Sequence, residues 1–225
     1  MKKVLAVVGV VLAVLVVAVV VVDRAGAAIV ERQVSQSISS EVAGVGSVDT
    51  QVHGVPLITQ ALGGSLDHVT VDLTDVPATE KLTLDTVQVE LYDVTTTSPR
   101  TAAKVDAVAT LGPQALAAEL GDAWKVSTAD GALVISLASG LPAEARIVPT
   151  VRDGAIALDL QSVNVLGIEV SGDSIPDVVK NAVSGLAGSI GKLPLGLEPQ
   201  SIAVTPAGLE LRATGTDVDL EAGTA

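Results

Sequence analysis

The chain of 225 residues carries a formal charge of −13 and contains no cysteine, no phenylalanine, one tyrosine and one tryptophan. Such an acidic chain without a basic stripe excludes nucleic acid as a partner, and so few rings cannot build stacking platforms for bases or sugars. Without cysteine there is no disulfide and no lipoprotein anchor, so a body of about 200 residues must fold on its core alone.

Residues Val4 to Val22 form nineteen uncharged positions, nearly all Val, Leu or Ala, preceded by Lys2 and Lys3. As a helix this run is roughly 28 Å long, enough to span the hydrocarbon layer of a membrane. Positive charge stays cytoplasmic, so the body is expected on the extracytoplasmic (periplasmic) side of the cell membrane. Ala25-Gly26-Ala27 also has the small-x-small form of a signal peptidase site, although the apolar run exceeds a usual signal core and Asp23-Arg24 precedes that site. Residues 1–22 are thus an anchor or a signal segment, and both readings export the rest. Without Lys2 and Lys3 that exported body carries −15, which opposes electrostatic docking on anionic lipid.

From Asp23 to about Ala43, Val30, Val34, Ile38 and Val42 recur every fourth residue, and Gly44 and Gly46 end the pattern. Residues 23–46 read as a connecting amphipathic helix. The remaining domain, 47–225, is dominated by period-two alternation: Val69, Val71, Leu73; Leu133, Ile135, Leu137; Ile147 to Val151; Ile156, Leu158, Leu160; Ile202, Val204; Leu209, Leu211. Asp130-Gly131, Asp153-Gly154 and Pro206-Ala207-Gly208 supply turns. One apolar and one polar face per strand is the pattern of antiparallel sheet covered on one side. Parity slips between Leu82/Leu84 and Val87/Val89/Leu91, which predicts a bulge or bend near Asp85-Thr86.

Three helices interrupt the strands, at Pro56 to Leu62, at Pro113 to Leu120, and from about Ile175 to Ile190. Ser174 is placed to cap the last of these and Pro176 to sit in its first turn. Gly185, Gly188 and Gly191 weaken it, so a packed strand or a ligand chain is expected to need close approach there. Strands that outnumber irregularly spaced helices make the domain α+β.

No catalytic constellation is legible. His53 and His68 occupy polar-facing strand positions outside any metal-ligand spacing, and there is no nucleophile elbow and no phosphate loop. Asp72/Asp75 and Asp217/Asp219 suit an acidic outer face. The expectation is a protein that is not an enzyme and uses no metal or cofactor. The informative segments are apolar where loops should be polar: His53-Gly-Val-Pro-Leu-Ile-Thr-Gln60, and Ile190-Gly-Lys-Leu-Pro-Leu-Gly-Leu197. Each either plugs the core or lines the mouth of an elongated apolar cavity.

Val52-His-Gly-Val-Pro-Leu-Ile-Thr-Gln-Ala-Leu62 followed by Leu66-Asp-His-Val-Thr-Val-Asp-Leu73 resembles the signature of the LmeA-like family of actinobacterial envelope phospholipid-binding proteins. Leu193-Pro-Leu-Gly-Leu197, Ile202-Ala-Val-Thr-Pro-Ala-Gly-Leu-Glu-Leu211 and Gly215-Thr-Asp-Val-Asp-Leu220 extend the resemblance over essentially the whole chain. It departs at Leu57, where the family commonly carries Phe. The resemblance implies phospholipid as partner, a phosphatidylinositol-type lipid in the best-known member, and a role in maintaining mannosylated glycolipids. It further implies a tubular lipid-binding fold like that of bactericidal permeability-increasing protein, a curved, mostly antiparallel sheet wrapped on a long helix.

The combined expectation is a membrane-tethered protein holding acyl chains against Leu57, Ile58, Leu62, Leu116, Leu120, Val179, Leu186, Leu193, Leu195 and Leu197. Headgroup contact would then fall to Arg146, Arg152, Lys180 or Lys192. The rival expectation is a non-catalytic envelope module with a solid core that recruits a membrane enzyme.

Overall fold

The computed structural model describes residues 45–53, 60, 63–79, 81–138, 142–170, 174–191 and 193–221. The segment 1–22, the connecting helix up to residue 44 and most of the helix expected at Pro56 to Leu62 lie outside them. Among the described residues no helix is long and apolar enough to cross a membrane.

Strands β1 (Ser47–His53), β2 (Ser65–Pro77), β3 (Thr83–Thr95) and β4 (Thr101–Leu111) form a meander and lead into helix α1 (Pro113–Leu120). A second meander follows, β5 (Trp124–Ala129), β6 (Ala132–Leu137), β7 (Ala143–Arg152), β8 (Ala155–Val165) and β9 (Ile168–Val170), and then helix α2 (Asp177–Ile190). After a 3-10 turn at Pro194–Gly196 the chain returns as β10 (Glu198–Thr205) and β11 (Gly208–Asp219). β11 pairs with β4, so the first sheet has the order β1-β2-β3-β4-β11-β10 and the second the order β5-β6-β7-β8-β9. Every pairing is antiparallel, and the sheets are curved but not closed.

The expected single curved sheet is therefore two sheets. They meet where β10 lies against β7 and β8, while α2 rests on β8 and α1 on β5. Alternation identifies which residues are strands, yet each run reads the same whichever sheet it joins. The two Asp-Gly turns adopt the expected hairpin form, with φ of 47° and 71° at Asp130-Gly131 and 51° and 70° at Asp153-Gly154.

α2 starts two residues after Ile175, with Pro176 rather than Ser174 at its N-cap, no side-chain cap bond, and Asp177 in its first turn. That carboxylate suits the positive end of the helix dipole. At Gly185 and Gly188 no packed strand demands glycine, because a Cβ would meet nothing within 4 Å, whereas at Gly191 it would meet the Ala187 carbonyl oxygen of its own helix at 2.9 Å. Gly185→Ala is accordingly expected to stabilise the fold by about 1 kcal/mol, read as a raised urea midpoint.

The expected irregularity near Asp85 is a bend without a register shift. Thr74 pairs with Thr86 and Val76 with Leu84, while Asp75, opposite Asp85, stands at φ 51°. Both strands change face together, Leu73 to Val76 and Val87 to Leu84, so the apolar side stays inward on both flanks. The same device recurs in Leu91-Tyr-Asp93-Val94 and Gly215-Thr-Asp217-Val218, with φ of 50° at each Asp. Between these two strands β4 makes the matching three-residue step from Ala102 to Val105. Asp enters left-handed backbone more readily than most residues, because its short polar side chain bonds locally. Asp93 and Asp217 both stand opposite Ala103, so the three aspartates mark two creases that curl the first sheet. Asp93 is exposed, so Asp93→Gly should leave stability unchanged or higher and Asp93→Val should lower it by about 1–2 kcal/mol in chemical denaturation.

Candidate functional site

The creases turn one apolar face of the first sheet inward. In register across it run Val71, Val89, Ala107 and Ala213, and beside them Leu73, Val87, Ala109, Leu211 and Ile202. Side chains fill the two ends of this face. Leu66, Val69, Val94, Ala102 and Val218 pack at one end, and Leu82, Leu111, Leu116, Leu186 and Leu209 pack with the second sheet at the other. Between them Val87, Val89, Ala107 and Ala109 are only half-buried, although β3 and β4 are interior strands. Small residues on the floor leave space that larger ones would occupy.

That space is a cavity of about 340 Å³, partly open to solvent. Its walls come from β2, β3, β4 and β11, from Ile202 of β10, from the last turn of α2, and from Leu193, Pro194, Leu195 and Leu197. Among the described residues no aromatic and no charged side chain lines it, and the only polar side chains are those of Thr79 and Ser189. Leu195 stands at φ 56° inside the 3-10 turn, a conformation disfavoured for a leucine, held so that three leucines of this segment reach the cavity. Gly215 makes room for one of them, since a Cβ there would come within 2.8 Å of Leu197 Cδ2.

The structure thus brings Leu193, Leu195 and Leu197 to the cavity wall. Leu116, Leu186 and Val179 are elsewhere: at 0%, 0% and 1% exposure they are core, packed under α1 and α2 against the second sheet. Half-buried Leu120 packs in the same region. Leu57, Ile58 and Leu62 lie outside the described residues. The helix pattern correctly marks an apolar side but says nothing of what covers it. The main walls, Val71 to Val76, Leu82 to Leu91, Val105 to Leu111 and Leu209 to Ala213, were legible only as the covered faces of strands. Their excess of Ala and Val in the central strands was the available signal.

Of the expected headgroup cations, the three that are described, Arg146, Arg152 and Lys180, do not line the cavity. Arg146 bonds Gln161 and the Ala129 carbonyl, Arg152 pairs with Asp159 at 2.6 Å, and Lys180 lies 3.9 Å from Asp177; Lys192 lies outside the described residues. The polar groups at the cavity cluster instead on Glu119 of α1, whose carboxylate accepts from the Ser189 hydroxyl at 2.5 Å and the Thr79 hydroxyl at 3.3 Å.

The histidines stand on the opposite, polar face. His53, His68, Tyr92 and Lys104 occupy directly paired positions across β1 to β4. The rings stack at 4.5 and 4.6 Å between centroids, and the Lys104 ammonium lies 5.4 Å from the tyrosine ring. Ring faces turned on one another do not converge on an ion, and no group of three His, Asp or Glu among the described residues is placed to hold a metal. The Tyr92 hydroxyl donates to Glu90 at 2.6 Å, which pushes its pKa up, with burial and the Glu90 and Asp106 charges acting in the same direction. Since Tyr92 is the only tyrosine, ultraviolet absorbance should show a single phenol titrating above its ordinary value, and Glu90→Gln should lower the midpoint.

An apolar cavity that its own side chains do not fill, with polar groups confined to one place, is suited to the apolar part of an amphiphile. No curated protein sequence and no solved structure matches the chain. A family model described as LmeA-like phospholipid-binding matches residues 21–214. That span covers most of the 225 residues, and the chain belongs to the LmeA-like phospholipid-binding family.

Proposed function

We propose that this protein shelters acyl chains of an envelope phospholipid in the cavity of the first sheet and performs no chemistry on them. The observation that carries the reading is the cavity itself, walled mainly by Leu, Val, Ile and Ala, with no charged side chain among the described lining residues. Its volume of about 340 Å³ falls within the roughly 300–1,000 Å³ of small-molecule sites. Each buried methylene contributes about 0.8 kcal/mol, so a segment of ten yields about 8 kcal/mol before the costs of immobilisation. Useful affinity follows without a charged clamp.

Sequence supports the setting. The apolar run Val4 to Val22 behind two lysines argues for export and a membrane tether, and an exported lipid carrier of this family fits a part in maintaining envelope glycolipids. The rival reading, an interaction module with a solid core, is disfavoured by an apolar cavity of that volume. Native mass spectrometry and solvent extraction of the purified protein test the proposal: co-purified or added phospholipid should bind one to one. A lipid-free protein that ignores added phospholipid rejects it.

A further inference from the structure

The cavity has a mouth, and the mouth has a polarity. Of the described lining residues only Thr79 and Gly188 are exposed, and we take the opening to lie there, between the β2–β3 turn and the last turn of α2. The polar groups of the site gather at this same opening, and they are hydrogen-bond acceptors. A hydroxyl has one proton, and that of Ser189 is committed to Glu119 at 2.5 Å or to the Gly185 carbonyl at 3.2 Å. Its lone pairs are what remains for a ligand. The Thr79 oxygen gives its proton to Glu119 and accepts from the backbone N–H groups of Lys81 and Leu82, so its capacity is used.

The end of α2 adds to this set. The last carbonyls of a helix lack intrahelical partners and carry the negative end of its dipole. Here the Gly191 N–H reaches back to Ala187, while the residue four beyond Ile190 is Pro194, which has no N–H to offer. No basic residue lies in that last turn. Glu119, the Ser189 lone pairs and the helix carbonyls therefore make one end of a neutral cavity electronegative. Among the described residues Lys81 is the only cation on the three segments that meet there, the turn at 78–82, α1 and the last turn of α2.

We propose that this mouth selects the headgroup: it takes a phospholipid whose terminal group donates hydrogen bonds from a positive centre, a primary ammonium on a zwitterionic head, over one that ends in an anionic phosphate. The inference rests on the acyl-chain reading above and adds the class of lipid. An ammonium meets the Ser189 oxygen beside the Glu119 charge, whereas a terminal phosphate presents oxygen to oxygen and charge to like charge.

The test uses the full chain in a non-ionic detergent. It is offered equal amounts of dioleoyl phosphatidylethanolamine and dioleoyl phosphatidic acid, and bound lipid is read by native mass spectrometry. The ethanolamine lipid should be preferred by roughly fivefold or more, the effect of about 1 kcal/mol from a partly exposed charge contact. Glu119→Gln keeps the shape and the Ser189 bond but removes the charge, and should bring the ratio close to one at unchanged total lipid. Ser189→Ala, which frees that carboxylate oxygen, should keep the preference and checks that any change in the Gln variant is one of charge rather than of fold. Preference for phosphatidic acid, or a ratio that Glu119→Gln leaves unmoved, overturns the headgroup assignment while acyl-chain binding stands. Failure to bind either lipid overturns the acyl-chain reading instead.

Discussion

Replacing Ala109 by Phe should lower phospholipid binding more than a hundredfold and leave the fold at least as stable. Ala109 lies on the cavity floor, in register between Val87 and Leu211, and is only half-buried. A phenyl ring projected from there fills space that acyl carbons would otherwise occupy. Displacing about four methylenes forfeits about 3 kcal/mol, a factor of roughly 200. Adding bulk to a filled core costs 1–3 kcal/mol, but this ring enters a cavity and gains apolar contacts instead. Ala103 is exposed on the same strand, and Ala103→Phe serves as the control with binding intact. Extracted lipid per protein and the melting temperature are the two readouts. Wild-type lipid content in Ala109→Phe would put the acyl chain somewhere else, and a markedly lowered melting temperature would mean the floor has no room for a ring.

The logic behind that variant was partly visible in the chain. Strand runs such as Val69-Val71-Leu73 and Leu209-Leu211, the helix at Pro113–Leu120 and both Asp-Gly hairpins follow from local rules, period two, period 3.6 and turn chemistry, and the structure has each of them. What those rules do not carry is partnership. Leu186 and Leu193 are both apolar and near in sequence, yet one is wholly buried beneath α2 and the other lines the cavity. Leu193, Leu195 and Leu197 stood out because a Pro- and Gly-bearing segment gains nothing from leucine unless it meets an apolar surface. Ala107, Ala109 and Ala213 did not stand out, because alanine in a strand is unremarkable until its neighbours in register are known. A cavity is made by what is small, and alternation patterns weigh only what is large.

The creases are a similar case. A three-residue step between apolar positions was legible at Leu84 and Val87, but its cause lies on the facing strand, where Asp75 supplies the positive φ. The repeated apolar-x-Asp-Val pattern at residues 73–76, 91–94 and 215–218 acquires meaning only with the register that aligns it. Curvature then explains how a sheet of mostly one-sided strands encloses space without closing into a barrel.

The return hairpin completes the enclosure, and the first residue of β11 is where stability and function meet. Gly208 has φ 136°, and a Cβ there would run into the Leu111 carbonyl oxygen, with Leu111 C and Gly112 Cα both at 2.9 Å. Every atom in that contact is backbone, so no rotamer change relieves it. Gly208→Ala is expected to cost about 3–4 kcal/mol, combining backbone strain with overpacking. For a domain of this size that lowers the melting temperature by about 10 °C. Gly154→Ala is the comparison: its φ is also positive, at 70°, but a Cβ there meets nothing within 4 Å, so strain alone costs about 1 kcal/mol. Equal losses in the two variants would show that β11 does not approach β4 so closely. The position matters beyond stability because Leu209 pairs with Leu111, and both are cavity wall at 0% and 2% exposure. Prising that pair apart loosens β11, which also carries Leu211 and Ala213 to the floor. Gly208→Ala should therefore lose lipid at temperatures where its strands are still formed, with extraction falling before the far-ultraviolet circular dichroism does.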